Sequence, residues 1–198
     1  MIIIGSGMSG MLAAHYFRHL EPIILEKQKC LPNNHKALLR FRSEVVSDLT
    51  GIPFKKVSVQ KGISFEGAWF NESSLFLNNL YSQKVTGSIR QRSIGNLDNC
   101  ERYIAPANFI SKLSKGLNIK FGQEVAPIGF DQPVISTMPV HSLAKAIGYE
   151  LGVKLESTEI HTATFDMSED VDVYQTIYYP SQNSLFYRNL GRFFSIKI

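Results

Sequence analysis

The stretch MIIIGSGMSG, residues 1–10, places an apolar run directly before three glycines in the pattern G-x-G-x-x-G. The continuous apolar run predicts a short buried strand, and residues 9–20 predict a helix after the glycine turn. A second apolar run, PIILE at residues 22–26, predicts another buried strand. This strand–helix–strand order indicates a right-handed βαβ unit and therefore a parallel sheet.

The glycine turn has the residue types that a dinucleotide site needs. Gly5 permits a tight turn out of the strand, Gly7 lets the backbone approach a pyrophosphate, and Gly10 lets the helix pack closely on the sheet. The helix N-terminus offers N–H groups and a positive dipole end to phosphates. Along the helix, an apolar face of Met8, Leu12 and Tyr16 is expected. The predicted cofactor contacts in the turn are Gly5, Ser6, Gly7, Met8, Ser9 and Gly10.

An acidic residue at the end of the second strand gives the pattern an independent second part. Glu26 lies 21 positions after Gly5, where a carboxylate accepts both ribose hydroxyls of an adenosine. A carboxylate there disfavours a 2′-phosphate, so NADP is the least expected dinucleotide. Glu26 and the adjacent Lys27 are predicted cofactor contacts. The alternative is a plain glycine turn with Glu26 as a solvated residue at a strand end.

The segment IIIGSGMSGMLAAHYF…IILEK resembles the N-terminal FAD-binding motif of the glutathione-reductase-like flavoprotein superfamily, which includes flavin amine oxidases and aromatic hydroxylases. PVISTMPVHSLAKAIG, residues 133–148, is similar to the segment that returns beside the first strand in those families. The resemblance implies FAD as cofactor, an amine-oxidase-like oxidoreductase, and cofactor contacts at Thr137 and Pro139. NHKALLRFRS, TGIPF and ERYIAP are similar to segments of small bacteriophage oxidoreductases.

Three departures from the flavoprotein pattern keep alternatives open. Asn33-Asn34 stands where the families have a Gly-Gly pair, and asparagine tolerates the left-handed conformation. The Gly-Asp segment that holds the flavin in those families has no counterpart before Ile198, and no second G-x-G-x-x-G occurs. The alternatives are a non-catalytic or NAD(H)/ADP-binding Rossmann module, or a subunit whose flavin site a partner completes.

Beyond the first βαβ unit the sequence predicts a mixed set of elements. A long helix over 35–51 ends at Gly51 before Pro53. Strands at 54–60 and 63–70 form an expected hairpin around Lys61-Gly62. The remaining expectations are a helix over 73–85 with Ser73 or Ser74 as N-cap, an ordered loop over 87–106, a helix over 107–116, strands at 118–122 and 132–139, a helix over 140–148 and β-rich segments from 156 onward.

The predicted fold class is α/β, with a Rossmann-like FAD/NAD(P)-binding layer built on a parallel sheet and a small antiparallel β layer for substrate. The chain is expected to form one compact unit over residues 1–198. The dinucleotide-binding layer is placed at about 1–52 and 105–150, and the β layer at about 53–104 and 151–198.

Several basic, histidine and aromatic residues are candidates for the site. Arg40 or Arg42, on the predicted 35–51 helix, is expected to reach a cofactor phosphate, but not both, because residues i and i+2 do not share a helix face. No catalytic residue is assigned and no metal spacing occurs. The other candidates, each with a solvated or core alternative, are His35 and His141 near the site, Trp69 and Phe70 in an aromatic pocket, and Arg90, Arg92 and Arg102 on an anionic substrate.

Composition bounds the location and the partners. Hydrophobic residues make up 44% and charged residues 19% of 198 residues, as in folded globular proteins. No apolar run approaches the roughly 20 residues that cross a bilayer, and no secretory signal opens the sequence. Cys30 and Cys100 are expected to be free thiols in a cytoplasm, the host's if the protein is viral. The net charge of +4 suits a small or nucleotide-linked substrate and leaves nucleic acid open. The oligomeric state is left open too.

Overall fold

The computed structural model describes residues 1–31, 39–89, 94–126, 129–153, 155 and 174–192. The chain divides into two compact units. The first comprises Met1–Lys36, Ser43–Phe54 and Ala105–Glu159, and the second comprises Ala37–Arg42, Lys55–Ile104 and Ile160–Ile198. The predicted layer boundaries and the single compact unit stay predictions.

The first unit is built on a four-stranded parallel sheet. With strands numbered along the whole chain, the order is β7-β2-β1-β8. The buried residues of the first strand explain its central place, since Ile2, Ile3 and Ile4 are all buried. The parallel sheet confirms the α/β prediction. Its strands are β1 (Ile2–Ile4), β2 (Ile23–Glu26), β7 (Asn118–Phe121) and β8 (Val134–Ser136).

Among the residues that the structure describes, four α-helices accompany this sheet, and the first follows the glycine turn directly. The helices are α1 (Met8–Tyr16), α2 (Val45–Thr50), α4 (Phe109–Ser114) and α5 (Val140–Ala146), with a 3-10 turn at Arg18–Leu20. The predicted apolar face of α1 is wrong: Gly10, Met11 and Ala14 are its buried residues, and Tyr16 is 64% exposed. The need to bring Gly10 against the preceding turn fixes which side of α1 faces inward.

The predicted helix over 35–51 is wrong over most of its length in the part that the structure describes. Only α2 is helical, and it ends as expected at Gly51, which has a φ of 68° and donates its N–H to the Ser47 carbonyl at 2.8 Å. Strand β3 (Arg40–Phe41) lies where the helix was expected to continue, and it pairs with residues 103–104. This distant pairing overrides the local helix preference. His35, Asn33 and Asn34 lie outside the described residues.

The second unit is built on a mixed sheet of order β10-β9-β4-β6-β3, with β5 paired to β4. The described pairings are antiparallel except one: β4 and β9 run parallel. The expected antiparallel layer therefore contains one parallel pair. Its further strands are β4 (Lys55–Phe65), β5 (Ala68–Phe70), β6 (Cys100–Ile104), β9 (Tyr174–Tyr178) and β10 (Arg188–Arg192).

The predicted hairpin around Lys61-Gly62 is wrong, because β4 runs through both residues without a turn. The chain turns at Glu66 and Gly67, which have φ values of 49° and 79°. Residue 62 is a glycine for a reason other than a turn. A Cβ there would overlap the ring of Trp69, which packs on the Gly62 backbone. The glycine makes room for the indole.

Helix α3 (Leu75–Thr86) packs on the sheet of the second unit. Ser74 is its N-cap, as predicted, and its Oγ accepts a hydrogen bond from the Leu77 N–H at 3.2 Å. The helix ends at Gly87, which has a φ of 68°. The core beneath the helix consists of Ile63, Leu77, Tyr81, Ile94 and Leu97.

Lys84 on α3 ties down the segment between β9 and β10. Its Nζ lies 2.9, 2.7, 2.8 and 2.6 Å from the carbonyl oxygens of residues 179, 181, 184 and 186. Burial lowers the pKa of the Lys84 ammonium. One ammonium group therefore fixes the path of eight residues that lack regular structure.

Candidate functional site

The glycine turn lies at the carboxyl end of β1, in the middle of the parallel sheet. β1 has β2 on one side and β8 on the other. The chain continues from β1 to β2 on one side, whereas β8, on the other side, comes from a much later part of the sequence. This reversal of strand order is a topological switch point, where α/β sheets bind ligands beyond the carboxyl ends of their strands.

Gly5 occupies a position that other residues would strain. Its φ is 99°, and its N–H donates to the Leu25 carbonyl at 2.9 Å. A Cβ on Gly5 would lie 2.6 Å from Oγ1 of Thr137. Both the backbone conformation and the approach of β8 therefore require glycine here.

Gly10 lets α1 abut the turn. A Cβ at this position would overlap the carbonyl oxygen of Gly5 and would lie 3.3 Å from Oγ1 of Thr137. Gly10 is accordingly buried, although it lies within a helix. The close packing that the sequence predicts for this glycine is confirmed.

Gly7 differs from the other two glycines, because no described residue crowds it. It is exposed, its φ of −63° and ψ of 172° suit any residue, and a Cβ would meet no atom within 4 Å. α1 begins at Gly7 without a side-chain cap, so the first helical N–H groups are available to an outside acceptor. The open space and these donors are what an approaching phosphate needs.

Glu26 is buried at the end of β2 and holds the turn in place. Its Oε2 accepts hydrogen bonds from the Ser6 N–H at 2.7 Å and the Ser6 hydroxyl at 2.9 Å, and its Oε1 accepts from the Gln28 N–H at 2.8 Å. Burial acts to raise the pKa of Glu26, but these hydrogen bonds and Lys27 together bring that pKa below its ordinary value. The carboxylate is therefore ionised at neutral pH.

The acceptor capacity of Glu26 is only partly used. A carboxylate offers about four lone-pair sites, and the described residues fill three of them, two on Oε2 and one on Oε1. The side chain is 9% exposed, so little of it faces outward. One site on Oε1 is left for a hydroxyl donor.

Ser6 has a role that the sequence did not reveal. Its side chain is fully buried and bonds to Glu26, so it positions the carboxylate and does not face outward. A small polar residue between two glycines is the signal that was available for this role.

Thr137 joins β8 to the turn. Its N–H and its Oγ1 both donate to the Ile4 carbonyl, at 3.0 and 2.9 Å, and Oγ1 lies 3.4 Å from the Gly5 carbonyl. Pro139 is exposed and begins α5, accepting at its carbonyl from the Ser142 N–H at 2.9 Å. Thr137 is thus a positioning residue for the turn.

The structure brings Gly5, Ser6, Gly10, Glu26 and Thr137 together in the first unit. Gly7, Met8 and Ser9 continue the same turn into α1, and Lys27 follows Glu26 as an exposed residue. The assignment of these residues to a cofactor stays a prediction.

Arg40 and Arg42 belong to the second unit. The expected helix does not carry them: Arg40 lies on β3, and its Nη2 donates to Oγ1 of Thr176 at 3.0 Å. Arg42 directly follows β3 and is exposed. Their assignment to a cofactor phosphate stays a prediction.

The other candidates are a histidine, two aromatic residues and three arginines, of which Arg102 lies on β6. His141 is exposed at the start of α5, Trp69 is 46% exposed with its Nε1 donating to Oδ1 of Asn71 at 2.6 Å, and Phe70 is 37% exposed. Arg90 and Arg92 lie outside the described residues. Cys30 and Cys100 are free thiols.

The described residues contain no group of three or more His, Cys, Asp or Glu side chains that is placed to hold a metal ion. Within the same residues, every helix is too short or too polar to cross a bilayer.

No protein-family model and no curated protein matches the sequence. Solved structures similar to this chain include the tetracycline destructase Tet(51), with a TM-score of 0.38, 14% identity, and coverage of 71% of this chain and 38% of that one. CtdE in complex with FAD and substrate 4 has a TM-score of 0.41, 15% identity, and coverage of 74% and 39%. CtdE in complex with FAD has a TM-score of 0.42, 17% identity, and coverage of 90% and 52%. The chain spans about half the length, or less, of each structure.

Proposed function

We propose that the protein is an FAD-dependent oxidoreductase that oxidises a C–N or C–O bond of a small or nucleotide-linked substrate. One observation carries the proposal: an uncapped helix N-terminus and a buried, ionised Glu26 flank the same glycine turn at the switch point of a parallel sheet. No described residue is assigned a catalytic role.

The residues of the first unit fit the ADP half of a dinucleotide. The pyrophosphate would approach over Gly7, where a side chain is absent and the first N–H groups of α1 point outward. The remaining acceptor site on Oε1 of Glu26 suits a ribose hydroxyl. Ser6 and Thr137 hold the turn and the carboxylate in place before any ligand arrives, which reduces the cost of ordering the site on binding.

FAD, when bound, supplies the hydride-accepting ring, while the protein supplies position and electrostatics. The flavin form of the proposal draws on the sequence resemblance at residues 2–27 and 133–148. The pairing of β8 with β1 supports it, because that resemblance implies a segment returning beside the first strand. Thr137 then contacts the backbone of the turn.

A second candidate function uses the same site without flavin chemistry. Every contact described above serves an ADP moiety, which NAD(H) and FAD share. The site would then belong to an NAD(H)- or ADP-binding module, or to a subunit whose flavin site another chain completes.

The testing experiment is an absorbance spectrum of the purified protein, followed by titration with FAD, NAD⁺ and ADP. Bands near about 370 and 450 nm, the usual positions of oxidised flavin, would support the flavoprotein proposal, as would saturable FAD binding to a colourless protein. A colourless protein that binds ADP or NAD⁺ but not FAD would favour the second candidate. Binding of none of the three would refute both.

A matched pair of variants tests the site itself. Glu26→Gln keeps the size of the side chain but removes the charge, and we expect it to weaken ADP binding about ten-fold, as loss of a hydrogen bond to a charged group does. Glu124→Gln makes the same change at an exposed position of the first unit. Equal weakening by both variants would show that the effect is one of net charge.

A further inference from the structure

Among the residues whose side chains the structure describes, the mixed sheet of the second unit has three arginines on one face. In the register, Arg40 pairs with Ile104, and Arg102 lies two residues before Ile104 on β6. Side chains at i and i+2 of a strand share a face, so Arg40 and Arg102 are diagonal neighbours. Arg188 reaches the same face from β10, where it pairs with Tyr178, two residues after Thr176. We call Arg40, Arg102 and Arg188 the arginine face.

One hydrogen bond shows that this face is concave. Nη2 of Arg40 on β3 donates to Oγ1 of Thr176 on β9 at 3.0 Å, although β6 and β4 lie between these strands. Three strand spacings in a flat sheet measure roughly 14 Å, which is longer than an arginine side chain. The sheet must therefore bend towards this face, and it brings the guanidinium of Arg40 close to the strand beside Arg188.

Arg40 has an unused donor on this concave face. Its Nη1 is buried and has no hydrogen-bond partner. A buried, unpaired donor on a charged group is costly, and proteins pair such groups almost without exception. Thr176, its neighbour, is 5% exposed and already accepts from Nη2.

No described acidic side chain balances the arginine face. The residues that the register places on the same face of β4, β6 and β9 are apolar, aromatic, basic or uncharged, and the nearest described carboxylate in the pairing, Glu101, lies on the opposite face with Lys56. Burial lowers the pKa of Arg40, and Arg188 and Arg102 lower it further. The charge of the face thus remains uncompensated by the described chain.

We propose that the arginine face binds the oxyanion of a ligand, a carboxylate or a phosphate. Arg40 is the buried donor, through Nη1, and Arg102 and Arg188 flank the anion. The planar guanidinium fork suits both groups, because each presents two oxygens to it. The site lies within the second unit and is independent of the proposed flavin function, so either proposal can fail without the other.

The test is a calorimetric titration of the full-length protein with inorganic phosphate and, separately, with acetate. Ionic strength is held constant with chloride, because screening alone changes the affinity of exposed charges. We expect saturable binding of at least one anion, and displacement of that anion by the other. Tighter phosphate binding would identify a phosphate ligand, and tighter acetate binding a carboxylate ligand.

Three variants locate the bound anion. Arg102→Gln and Arg188→Gln alter partly or fully exposed side chains, so the fold tolerates them, and each is expected to weaken binding about ten-fold by removing a charge-assisted hydrogen bond. Arg18→Gln, at an exposed arginine of the first unit, changes the net charge equally and is expected to leave binding unchanged.

Two results would overturn the proposal. One is the absence of saturable binding of either anion to the unmodified protein. The other is an anion whose affinity is unaffected by Arg102→Gln and Arg188→Gln, or equally affected by Arg18→Gln, because that anion would occupy a different site, such as the glycine turn.

Discussion

Replacing Gly10 with alanine tests the packing of α1 on the turn. The new Cβ would overlap the carbonyl oxygen of Gly5, which is backbone and has nowhere to move without displacing β1 or α1. Overpacking of this severity costs about 3 kcal/mol, whereas the better helix propensity of alanine returns about 1 kcal/mol. The expected net loss is about 2 kcal/mol.

The assay is thermal unfolding beside a matched glycine variant. A loss of about 2 kcal/mol lowers the Tm by roughly 4–8 °C in a chain of this size. Gly7→Ala adds the same methyl group where a Cβ meets no atom within 4 Å, so its expected cost is only that of a poorer N-cap, about 0.5 kcal/mol or roughly 1–2 °C in Tm. A Gly10→Ala variant as stable as Gly7→Ala would refute the reasoning.

Three further outcomes are expected. The folded-state pKa of Glu26 lies below its ordinary 4.5, so the ionised carboxylate stabilises the fold above pH 4.5 and loses this effect as the pH falls through the folded-state pKa. The difference in unfolding free energy between the unmodified protein and Glu26→Gln, measured by urea unfolding at each pH, should therefore shrink only on the acid side. A difference that does not depend on pH would contradict this. Lys84→Met removes the ammonium whose three N–H groups are shared among four surrounding carbonyls, and it is expected to cost about 2–4 kcal/mol in urea unfolding. Lys112→Met, at an exposed helix position, should cost less than about 0.5 kcal/mol. Gly62→Ala displaces the single tryptophan, Trp69, from its backbone seat, so its fluorescence emission should shift to the red; an unchanged spectrum would show that the indole does not pack there.

The parts of the fold that local chemistry dictates were predictable. The spacing of Gly5 and Gly10, with an acidic residue ending the next strand, predicted the turn, the parallel pair and the packing of α1. Ser74 predicted the start of its helix, because a serine before an apolar run can accept a hydrogen bond from a free N–H group of the first turn. In each case the residues that make the structure lie within about 21 positions of one another in the sequence.

The parts that failed depend on distant pairing. Arg40 lies in a helix-like stretch, yet it joins a strand because residues 103–104 pair with it. Gly62 was expected in a turn, but its lack of a side chain leaves space for the ring of Trp69. The parallel pairing of β4 with β9 joins residues 115 positions apart, such as Gln60 and Gln175. No local pattern encodes such a partner.

The residues of the candidate site also differ in whether the sequence could predict them. Gly5, Gly10 and Glu26 were found from spacing, whereas the inward role of Ser6 depends on where the Glu26 carboxylate turns. Arg188 drew no attention in the sequence, since its place beside Thr176 follows from the register of β9 and β10. A residue whose role depends on a neighbouring strand becomes visible only when that strand is placed.

The hydrogen bond from Thr137 to the Ile4 carbonyl spans 133 residues of chain. During synthesis the amino-terminal strand and turn leave the ribosome first, but the threonine that braces them follows several seconds later, at typical elongation rates of about 5–20 residues per second. The nascent turn therefore lacks the hydrogen bond from Thr137 until β8 has been synthesised. The dinucleotide site that we propose is therefore complete only after most of the first unit has been translated.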